Sequence, residues 1–382
     1  MIYLDNSATT RMSDAALRAY TEAAGTFANP SSLHAAGNEA AILLSDSRQM
    51  LLKAAGFRKR DGFRVFFTAS GSEATNLALI GSAGAKNHFG SRRIITTDSE
   101  HPSVMNSLKR LEKDGFETVR IPTAGGRIDL KVLEEELRKG AFLVSVMLVN
   151  NETGALYDYE SVARLTRAVC PGALLHCDAV QGFIRVPLPV SSADMITVSA
   201  HKIHGPKGVG ALFVSPDIIR RRALSPVIFG GGQEDGMRSG TENVQGIAAF
   251  AAAAGEGAAN SGRDSAVLEK LYAYASEVLP SAGVRINVPE KHVSHIMSIT
   301  LPGIRSQTML GFLSSKGICV SSGSACSSKD SHISPVLKAF GLSDRDADST
   351  LRVSFCAQNT TDEIDRLTEA LSEGIGRLVR TV

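Results

Sequence analysis

Residues 65–83 read VFFTASGSEATNLALIGSA, and this stretch contains the unit from which the fold is built. The apolar and β-branched residues 65–68 predict a buried strand, and residues 72–83 have the apolar spacing of a helix. Gly71 lies between them and permits a tight turn, and Ser72 is expected to cap the helix. A strand followed directly by a helix is typical of α/β proteins with a parallel sheet.

The same alternation continues along the chain in both directions. Strand-like apolar runs lie at residues 65–68, 93–97, 118–121, 142–149, 174–178, 195–199 and 209–214. Helical patterns lie between them at residues 72–83, 103–114, 130–138 and 159–168. Parallel strands need crossover connections, and helical crossovers cover both faces of the sheet. We therefore predict an α/β fold with a large domain whose mostly parallel sheet is covered by helices.

The alternation fades after about residue 254, and the Gly-, Ser- and Asn-containing stretch 255–263 is interpreted as a boundary. A smaller α+β domain is expected beyond it. Its predicted elements are a helix from residue 266, a strand near 295–301, a helix near 307–316 and a strand at 351–355. We assign residues 13–255 to the large domain and residues 1–12 with 256–382 to the small one.

The composition excludes several classes of protein. The 382 residues contain 41 Lys and Arg against 39 Asp and Glu, and 43% of them are apolar. This balance is untypical of disordered chains and gives no broad basic surface for nucleic acid. The start, MIYLDNSATT, lacks the pattern of a secretory signal, and the apolar stretch 247–254 is too short to span a bilayer. Five irregularly spaced cysteines argue against a disulfide framework, so we expect a soluble, cytoplasmic protein.

Polar residues follow the predicted strands, at the sheet edge where open parallel sheets bind ligands. Gly71 and Ser72 form a helix start that can bind an anion, although an ordinary capped helix has the same pattern. Asp178 ends a strand and either holds a protonated ring nitrogen or caps a helix. Ser199 and His201 follow another strand and are candidate phosphate ligands.

Lys202 comes directly after these residues and is a candidate nucleophile, because desolvation in a crevice activates an amine. Most single lysines are solvated surface charges, and Lys207, in the following Gly/Pro turn, is the competing candidate. The order of an anion site, a carboxylate and a lysine, each after a strand, suits pyridoxal 5'-phosphate. That cofactor needs a phosphate cradle, a carboxylate for its pyridinium nitrogen and a lysine that bonds to it.

Further polar residues follow two other strands. His101, after residues 93–97, either stacks on a planar cofactor and moves protons or is an ordinary histidine at a helix start. Asn150 and Asn151, after residues 142–149, either form a turn or offer an amide to the phenolic oxygen of the cofactor. A catalytic metal is the rival interpretation, but the spacing of the candidate ligands matches no common zinc pattern. Those candidates are His176, Cys177, Asp178, His201 and His204.

Two residues late in the chain are candidates for chemistry with a substrate. Cys326 lies in the small, polar stretch SSGSACSS at 321–328, which favours a reactive thiolate, with a spectator thiol as the alternative. Arg352 lies among apolar neighbours in the predicted strand 351–355. It either binds a substrate carboxylate or forms an internal salt bridge.

Ten motifs in sequence order resemble those of the pyridoxal-phosphate-dependent cysteine desulfurases of the NifS/IscS type, within the class V aminotransferase fold. Each motif is weak alone, but the ordered set is specific. The motifs are YLDNSATT (3–10), NPSS with His34, SGSE (70–73), EH (100–101), NNETG (150–154), HCDA with Gln181, SAHK (199–202), GGGQE with RSGT (230–241), SSGSAC (321–326) and LRVS (351–354). The resemblance implies a fold-type I pyridoxal-phosphate enzyme.

The resemblance also implies a role for each candidate residue. Lys202, His101 and Cys326 would be catalytic, with Lys202 bonded to the cofactor. Arg352 and Asn151 would bind the substrate, L-cysteine. The implied cofactor-binding residues are Gly71, Ser72, His101, Asn151, Asp178, Gln181, Ser199, His201, Lys202 and Thr241.

The implied reaction converts L-cysteine to L-alanine and leaves a persulfide on Cys326. The sulfur would then pass to an acceptor protein, either an iron–sulfur scaffold or a tRNA-thiolation enzyme. Thr241 would reach the cofactor phosphate of the other subunit of a homodimer. A selenocysteine lyase or an aminotransferase of the same fold is the alternative. Two residues depart from the family pattern: Ser72 stands where many relatives have Thr, and Cys356 where another residue is commoner.

Overall fold

The computed structural model describes residues 1–85, 91–323 and 333–378, within which the chain forms twelve strands and thirteen α-helices. The strands are β1 Ile2–Tyr3, β2 Arg64–Thr68, β3 Arg93–Thr97, β4 Glu117–Ile121, β5 Leu143–Met147, β6 Leu174–Asp178, β7 Met195–Ser199, β8 Gly210–Val214, β9 Arg285–Asn287, β10 Ile296–Thr300, β11 Ile318–Cys319 and β12 Thr350–Ser354. The helices are α1 Asp14–Ala24, α2 Ala35–Ala54, α3 Gly71–Asn76, α4 Ser82–Gly84, α5 Pro102–Lys113, α6 Leu130–Arg138, α7 Tyr159–Val169, α8 Pro216–Arg221, α9 Val244–Val278, α10 Ser306–Ser315, α11 Pro335–Phe340, α12 Asp344–Asp348 and α13 Thr361–Arg377.

A seven-stranded sheet forms the centre of the larger part of the molecule. Its strand order is β2-β8-β7-β6-β5-β3-β4. The run from β7 to β4 is parallel, whereas β8 lies antiparallel to both β7 and β2. The prediction of an α/β fold with a mostly parallel sheet is therefore confirmed. The predicted strands of this sheet agree with the observed ones to within one or two residues at each end.

Successive side chains along a strand point to opposite faces of the sheet. Each face of this sheet packs against its own apolar core. Phe67, Val146 and Leu175 belong to one core, and Phe66 and Leu174 belong to the other. Buried parallel strands therefore appear in the sequence as continuous apolar runs. None of the helices in the described residues is both long and apolar enough to cross a membrane.

A second, antiparallel sheet has the order β12-β10-β9 and contributes to a third core. Helices α10 and α13 pack in this region, where Met309 and Leu367 are fully buried. The N-terminal strand β1 joins β11 in a short parallel pair, with Ile2 opposite Ile318. The division of the chain at residue 255 into two domains stays a prediction.

The stretch 255–263, whose composition suggested a boundary, is continuous helix within the 35 residues of α9. Helices α1 and α2 both pack against α9. A Cβ atom on Gly255 would lie 3.3 Å from Met50 Sδ, and one on Gly257 would lie 2.6 Å from Ile184 Cγ2. The glycines thus allow close packing against the helix, and tertiary contacts override their low helix propensity.

Candidate active site

A cavity lies at the carboxyl ends of the central strands, where a parallel sheet is expected to bind a ligand. It brings together ten of the residues that the sequence predicts for the site. The N-terminal segment and strand β12 close it from the side of the smaller sheet. The lining residues are Ser7, Ala8, Ser70, Gly71, Ser72, His101, Ser103, Met147, Val149, Asn151, Asp178, Val180, Gln181, Ser199, His201, Lys202 and Arg352.

The turn between β2 and α3 forms one wall of the cavity. The helix cap is Ser70, whose hydroxyl accepts the N–H of Glu73 at 3.1 Å, so the expectation that Ser72 caps the helix is wrong. A side chain at position 71 would be crowded, because a Cβ atom on Gly71 would lie 3.0 Å from Val180 Cγ2 and 3.2 Å from Ser199 Cβ. Backbone N–H groups at a helix start can therefore approach an anion closely at this turn.

Asp178 ends β6 and is a buried carboxylate. Burial is the main cause that raises its pKa to about 6, and the charge of Lys202 opposes this rise. One carboxylate oxygen accepts the N–H of Val180 at 3.0 Å, so Asp178 also shapes the local turn. In the described chain, no helix begins directly after Asp178, so the alternative that it caps a helix is wrong, while its pairing with a ring nitrogen stays a prediction.

Lys202 follows β7 on a single turn of 3-10 helix, Ala200–Lys202, and lines the cavity. Its ammonium group donates to the carbonyl oxygens of Ser7 and Ala8, at 2.5 and 2.8 Å. Lys202 is half-buried, which contradicts the alternative of a solvated surface lysine, whereas the competing Lys207 is exposed. The amine thus lies in the same cavity as the Asp178 carboxylate.

Two histidines of the cavity are held in the neutral form. Burial, followed by the nearby charge of Lys202, lowers the pKa of His101 to about 4 and that of His201 to about 4. His101 caps α5, and its Nδ1 accepts the N–H of Ser103 at 3.1 Å. His201 Nδ1 lies 3.1 Å from Thr9 Oγ1. Neutral imidazoles can stack on a ring or accept a proton without adding charge to the cavity.

Arg352 reaches the cavity from the centre of β12 and is almost fully buried. Its Nη2 donates to Asp5 Oδ1 at 2.8 Å, and its Nη1 donates to the backbone oxygen of Asn151 at 2.9 Å. The internal salt bridge that was the alternative therefore exists. The Nε of the same guanidinium is buried and has no partner among the described residues.

The donor and acceptor groups of the cavity fit pyridoxal phosphate. Among the described residues, Ser7 Oγ, Asn151 Oδ1 and Arg352 Nε are buried without hydrogen-bond partners, and all three residues line the cavity. Buried polar atoms are normally paired, so these atoms indicate hydrogen bonds that a ligand completes. A lysine, a buried carboxylate and a helix start around one cavity are the groups that this cofactor requires.

The sequence analysis missed several lining residues, and two of its candidates are not among the lining residues. Ser7 and Ala8 were missed because no strand was predicted before them, although the motif at residues 3–10 includes this segment. Thr241 is exposed and does not line the cavity. Its segment is tied to α3 by Arg238, whose Nε donates to Glu73 Oε1 at 2.7 Å. Cys326 lies outside the described residues.

The surroundings of His176, a fully buried candidate ligand, contradict the rival interpretation of a metal site. Both ring nitrogens of His176 lie near hydroxyl groups, at 2.8 Å from Ser145 Oγ and 2.9 Å from Thr197 Oγ1. Burial lowers the pKa of His176 to about 3, and burial raises the pKa of the neighbouring Cys177 thiol. Across the described ranges, no group of three or more His, Cys, Asp or Glu is arranged to hold a metal ion.

The chain is similar to known proteins over nearly its whole length. The family model "Aminotransferase class-V" matches residues 2–367. The "NifS/IcsS protein homolog" of Lactobacillus delbrueckii subsp. bulgaricus is 38% identical, over 98% of this chain and 97% of that protein. "Cysteine desulfurase IscS 1" of Archaeoglobus fulgidus is 37% identical, over 92% of this chain and 91% of that protein.

Solved structures agree with these relatives. A structure titled "NIFS-LIKE PROTEIN" superposes with a TM-score of 0.90 at 33% identity and covers 99% of this chain and 100% of that one. The apo structure of the cysteine desulfurase from Thermococcus onnurineus NA1 has a TM-score of 0.85 at 26% identity, over 99% of this chain and 95% of that one. The chain therefore belongs to the class V aminotransferase family and to its NifS/IscS-type cysteine desulfurases, which are pyridoxal-phosphate enzymes.

Proposed function

We propose that this chain converts L-cysteine to L-alanine and transfers the sulfur atom to its own Cys326. The observation that carries the proposal is the convergence of Lys202, Asp178 and Arg352 on one cavity that contains unpaired buried polar atoms. Bound pyridoxal phosphate supplies an electron sink for the substrate carbon atoms. All other steps depend on side chains of the chain itself.

The cofactor-binding roles follow the chemistry of each group. Asp178 would hold the pyridine nitrogen, with its carboxylate ionised against a protonated ring. Asn151 and Gln181 would donate to the phenolic oxygen, and His101 would stack on the ring as a neutral imidazole. The backbone and hydroxyl groups of the helix start would hold the phosphate. The phosphate-binding residues are Gly71, Ser72, Ser199 and His201.

Arg352 binds the carboxylate of L-cysteine. Its guanidinium keeps a fixed orientation because Asp5 and the backbone oxygen of Asn151 hold two of its nitrogens. The unpaired Nε is the free donor for a substrate oxygen. Substrate is thereby oriented with its α-carbon near the amine of Lys202, which removes the α-proton as a general base.

The sulfur step requires a thiolate, and Cys326 supplies it. The thiolate attacks the substrate sulfur, an S–S bond forms, and the C–S bond of the substrate breaks with its electron pair moving toward carbon. That carbon then takes a proton and leaves in L-alanine, while Cys326 keeps the sulfur as a persulfide. The acceptor is a protein of iron–sulfur cluster assembly or tRNA thiolation in the cytoplasm.

The working form is a homodimer in which Thr241 of one subunit reaches the cofactor phosphate of the other. The support is the exposed position of Thr241 together with the Arg238–Glu73 ion pair that fixes its segment beside the helix start. A residue at that location has a side chain free for a neighbouring subunit. Thr241→Val is expected to weaken cofactor retention without changing the internal cavity.

Alanine formation from L-cysteine tests the proposal, with pyridoxal phosphate and a thiol reductant present. The native protein is expected to give equal amounts of alanine and sulfide, and Cys326→Ser is expected to bind the cofactor but to give neither product. Native-rate sulfide release by Cys326→Ser would remove the thiol from the mechanism. Absence of alanine from the native protein, with turnover of selenocysteine or of an amino donor and keto acid, would assign a sibling activity instead.

A further inference from the structure

Glu152 is a buried acidic side chain that the reaction described above does not use. It follows Asn151, whose side chain lines the cavity, and only 4% of Glu152 is exposed. A carboxylate buried this deeply needs compensating contacts, because loss of hydration is costly for a charged group. Its contacts lead to the two ends of the chain segment that contains Cys326.

The first contact is with Ser334, on the C-terminal side of Cys326. The Ser334 hydroxyl donates to Glu152 Oε2 at 2.6 Å. The oxygen of the same hydroxyl caps α11 by accepting the N–H of Leu337 at 3.4 Å. Because the oxygen of Ser334 accepts from the helix, its single proton is directed to the carboxylate, and Glu152 acts as the acceptor.

The second contact is with Gly323, on the N-terminal side of Cys326. A Cβ atom on Gly323 would lie 3.1 Å from Glu152 Oε2 and 3.8 Å from Ser334 Cβ. Gly323 also has a φ of +64°, which a residue with a side chain adopts only with strain. The Glu152 oxygen that accepts from Ser334 therefore also lies near the backbone of Gly323, on the other side of Cys326 in the sequence.

The N-terminal end of the segment that contains Cys326 is also hydrogen-bonded to a residue of the cavity. Ser321 and Arg352 exchange two backbone hydrogen bonds, at 2.7 and 3.2 Å. Arg352 in turn donates to the backbone oxygen of Asn151, the residue before Glu152. These contacts connect Arg352, the proposed binding site for the substrate carboxylate, to both ends of the segment that contains Cys326.

Burial raises the pKa of Glu152, while the Ser334 hydrogen bond and the charge of Arg352 act in the opposite direction. The Ser334 hydroxyl and the Arg352 guanidinium compensate the burial of this carboxyl, and the two chain ends on either side of Cys326 meet at the same side chain. This arrangement suits a residue that fixes two chain ends.

We infer that Glu152 is a positioning residue for Cys326: its hydrogen bond with Ser334 keeps the C-terminal end of the segment close to Gly323 at the N-terminal end, and this favours sulfur transfer to the thiol. The inference rests on the proposed role of Cys326 as the sulfur acceptor. Glu152 itself touches neither substrate nor cofactor in this role. Misplacement of a reacting group by about 1 Å can cost up to about 100-fold in rate, so loss of this contact is expected to slow sulfur transfer.

Ser334→Ala in the holoenzyme is the main test, because it removes the hydroxyl without creating a buried charge of its own. Ser343→Ala is the matched control: Ser343 caps α12 in the same way, accepting the N–H of Asp346 at 3.1 Å, and has no contact with Glu152. Ser334→Thr keeps the hydroxyl and is the rescue variant. Glu152→Gln, which keeps the shape of the side chain but removes its charge, tests the other partner.

Two measurements separate positioning from a general loss of structure. The first is kcat and KM for alanine formation: Ser334→Ala is expected to lower kcat about tenfold, with KM for L-cysteine unchanged. The second is trypsin cleavage after Lys329, which lies between Gly323 and Ser334 in the sequence. Release of one end is expected to make this cleavage several-fold faster.

The inference is supported when Ser334→Ala and Glu152→Gln change both quantities while Ser343→Ala and Ser334→Thr change neither. It is overturned when Ser334→Ala and Glu152→Gln match the native protein, or when Ser343→Ala has the same effect as Ser334→Ala. A native rate of sulfide release from Cys326→Ser in the same assay would instead overturn the proposed function. The failure of the two proposals is therefore distinguishable.

Discussion

Two buried polar clusters lie in this molecule, one in the sheet formed by β9, β10 and β12 and one in the cavity at the ends of the central strands. In the small sheet, Asn287 Nδ2 donates to Ser298 Oγ at 3.0 Å and to Thr300 Oγ1 at 2.9 Å. Thr300 Oγ1 also lies 3.2 Å from Asn287 Oδ1 and 2.9 Å from Thr350 Oγ1. These side chains satisfy one another.

The cavity cluster is built from similar residue types but is incompletely paired. Ser7 Oγ, Asn151 Oδ1 and Arg352 Nε are buried and lack partners in the described part of the chain. Satisfied polar clusters stabilise a packed interior, whereas an unpaired buried atom costs free energy that a ligand or a proton can recover. Pairing separates these two clusters, but an unpaired atom marks a binding site only where it lines a cavity, since Thr75 Oγ1 and the Tyr159 hydroxyl are also unpaired elsewhere in the described residues.

The largest expected effect comes from the lysine of the cavity. Lys202→Ala removes the amine that we propose to bond to the cofactor and to take the α-proton, so alanine formation is expected to fall about 1,000-fold or more. The absorbance of the bound cofactor is expected to change with it. Lys207→Ala, on an exposed lysine nearby, is the control and is expected to retain full activity. Comparable activity of the two variants would contradict the assignment.

Glu100 is a further case for comparison with the cavity cluster. Its Oε2 is also buried and unpaired, but the residue does not line the cavity. Burial raises its pKa to about 8, so a bound proton occupies this oxygen at neutral pH. An acid whose pKa is raised by folding stabilises the protein at low pH, and this stability is lost as the pH rises toward 8.

Glu100→Gln imitates the protonated acid and is therefore expected to gain about 2–4 kcal/mol over the native protein at pH 8, and much less at pH 5. Urea unfolding of both proteins between pH 5 and pH 8.5 measures the difference. Parallel curves across this range would show that Glu100 does not change its protonation there.

Arg352→Gln tests the unpaired guanidinium nitrogen. Loss of a charge-assisted bond to the substrate carboxylate is expected to raise KM for L-cysteine about 100-fold, while the cofactor stays bound. Asp5→Asn is the control, since it weakens the ion pair with Arg352 but leaves the guanidinium in the cavity. Equal KM values for the two variants would assign Arg352 a structural role.

The smallest expected effect compares two buried serines directly. Ser298→Ala removes an acceptor of Asn287 and is expected to lower the free energy of unfolding by about 1–2 kcal/mol, because a buried donor loses a partner. Ser7→Ala removes a hydroxyl that has no partner and is expected to change it by less than about 0.5 kcal/mol. Urea titrations of the two variant apoproteins measure these changes in the free energy of unfolding. The prediction is wrong if Ser7→Ala lowers the free energy of unfolding more than Ser298→Ala does.

The central sheet could be predicted from the sequence because most of its strands are almost entirely buried and appear as apolar runs, whereas the edge strand β4 is largely exposed or half-buried. Residues 174–178 and 195–199, for example, were predicted with the observed bounds of β6 and β7. Helix α9 could not be predicted in one piece, since Gly255 and Gly257 have low helix propensity. Their close packing against Met50 and Ile184 appears only in three dimensions.

The candidate site divides in a similar way. Residues that follow a strand, such as Asp178 and Lys202, could be predicted because strand ends converge at one sheet edge. The carbonyl of Ser7 that accepts from Lys202 is 195 residues away in sequence, and no local pattern connects the two. The cap at Ser70 rather than Ser72 depends on the φ and ψ angles of the turn, which composition does not determine.

Residues 1–10 are synthesised before the residues that they contact, and this fixes the order in which parts of the active site can form during translation. Asp5 is synthesised 347 residues before its partner Arg352, and Ile2 is synthesised well before its partner Ile318. The strands of the central sheet are all complete by Val214 and can fold as a unit during translation. The wall formed by Ser7 and Ala8 can contact Lys202 at that stage, but Arg352 and the bond from the Ser7 N–H to Ser354 Oγ are added only when β12 emerges.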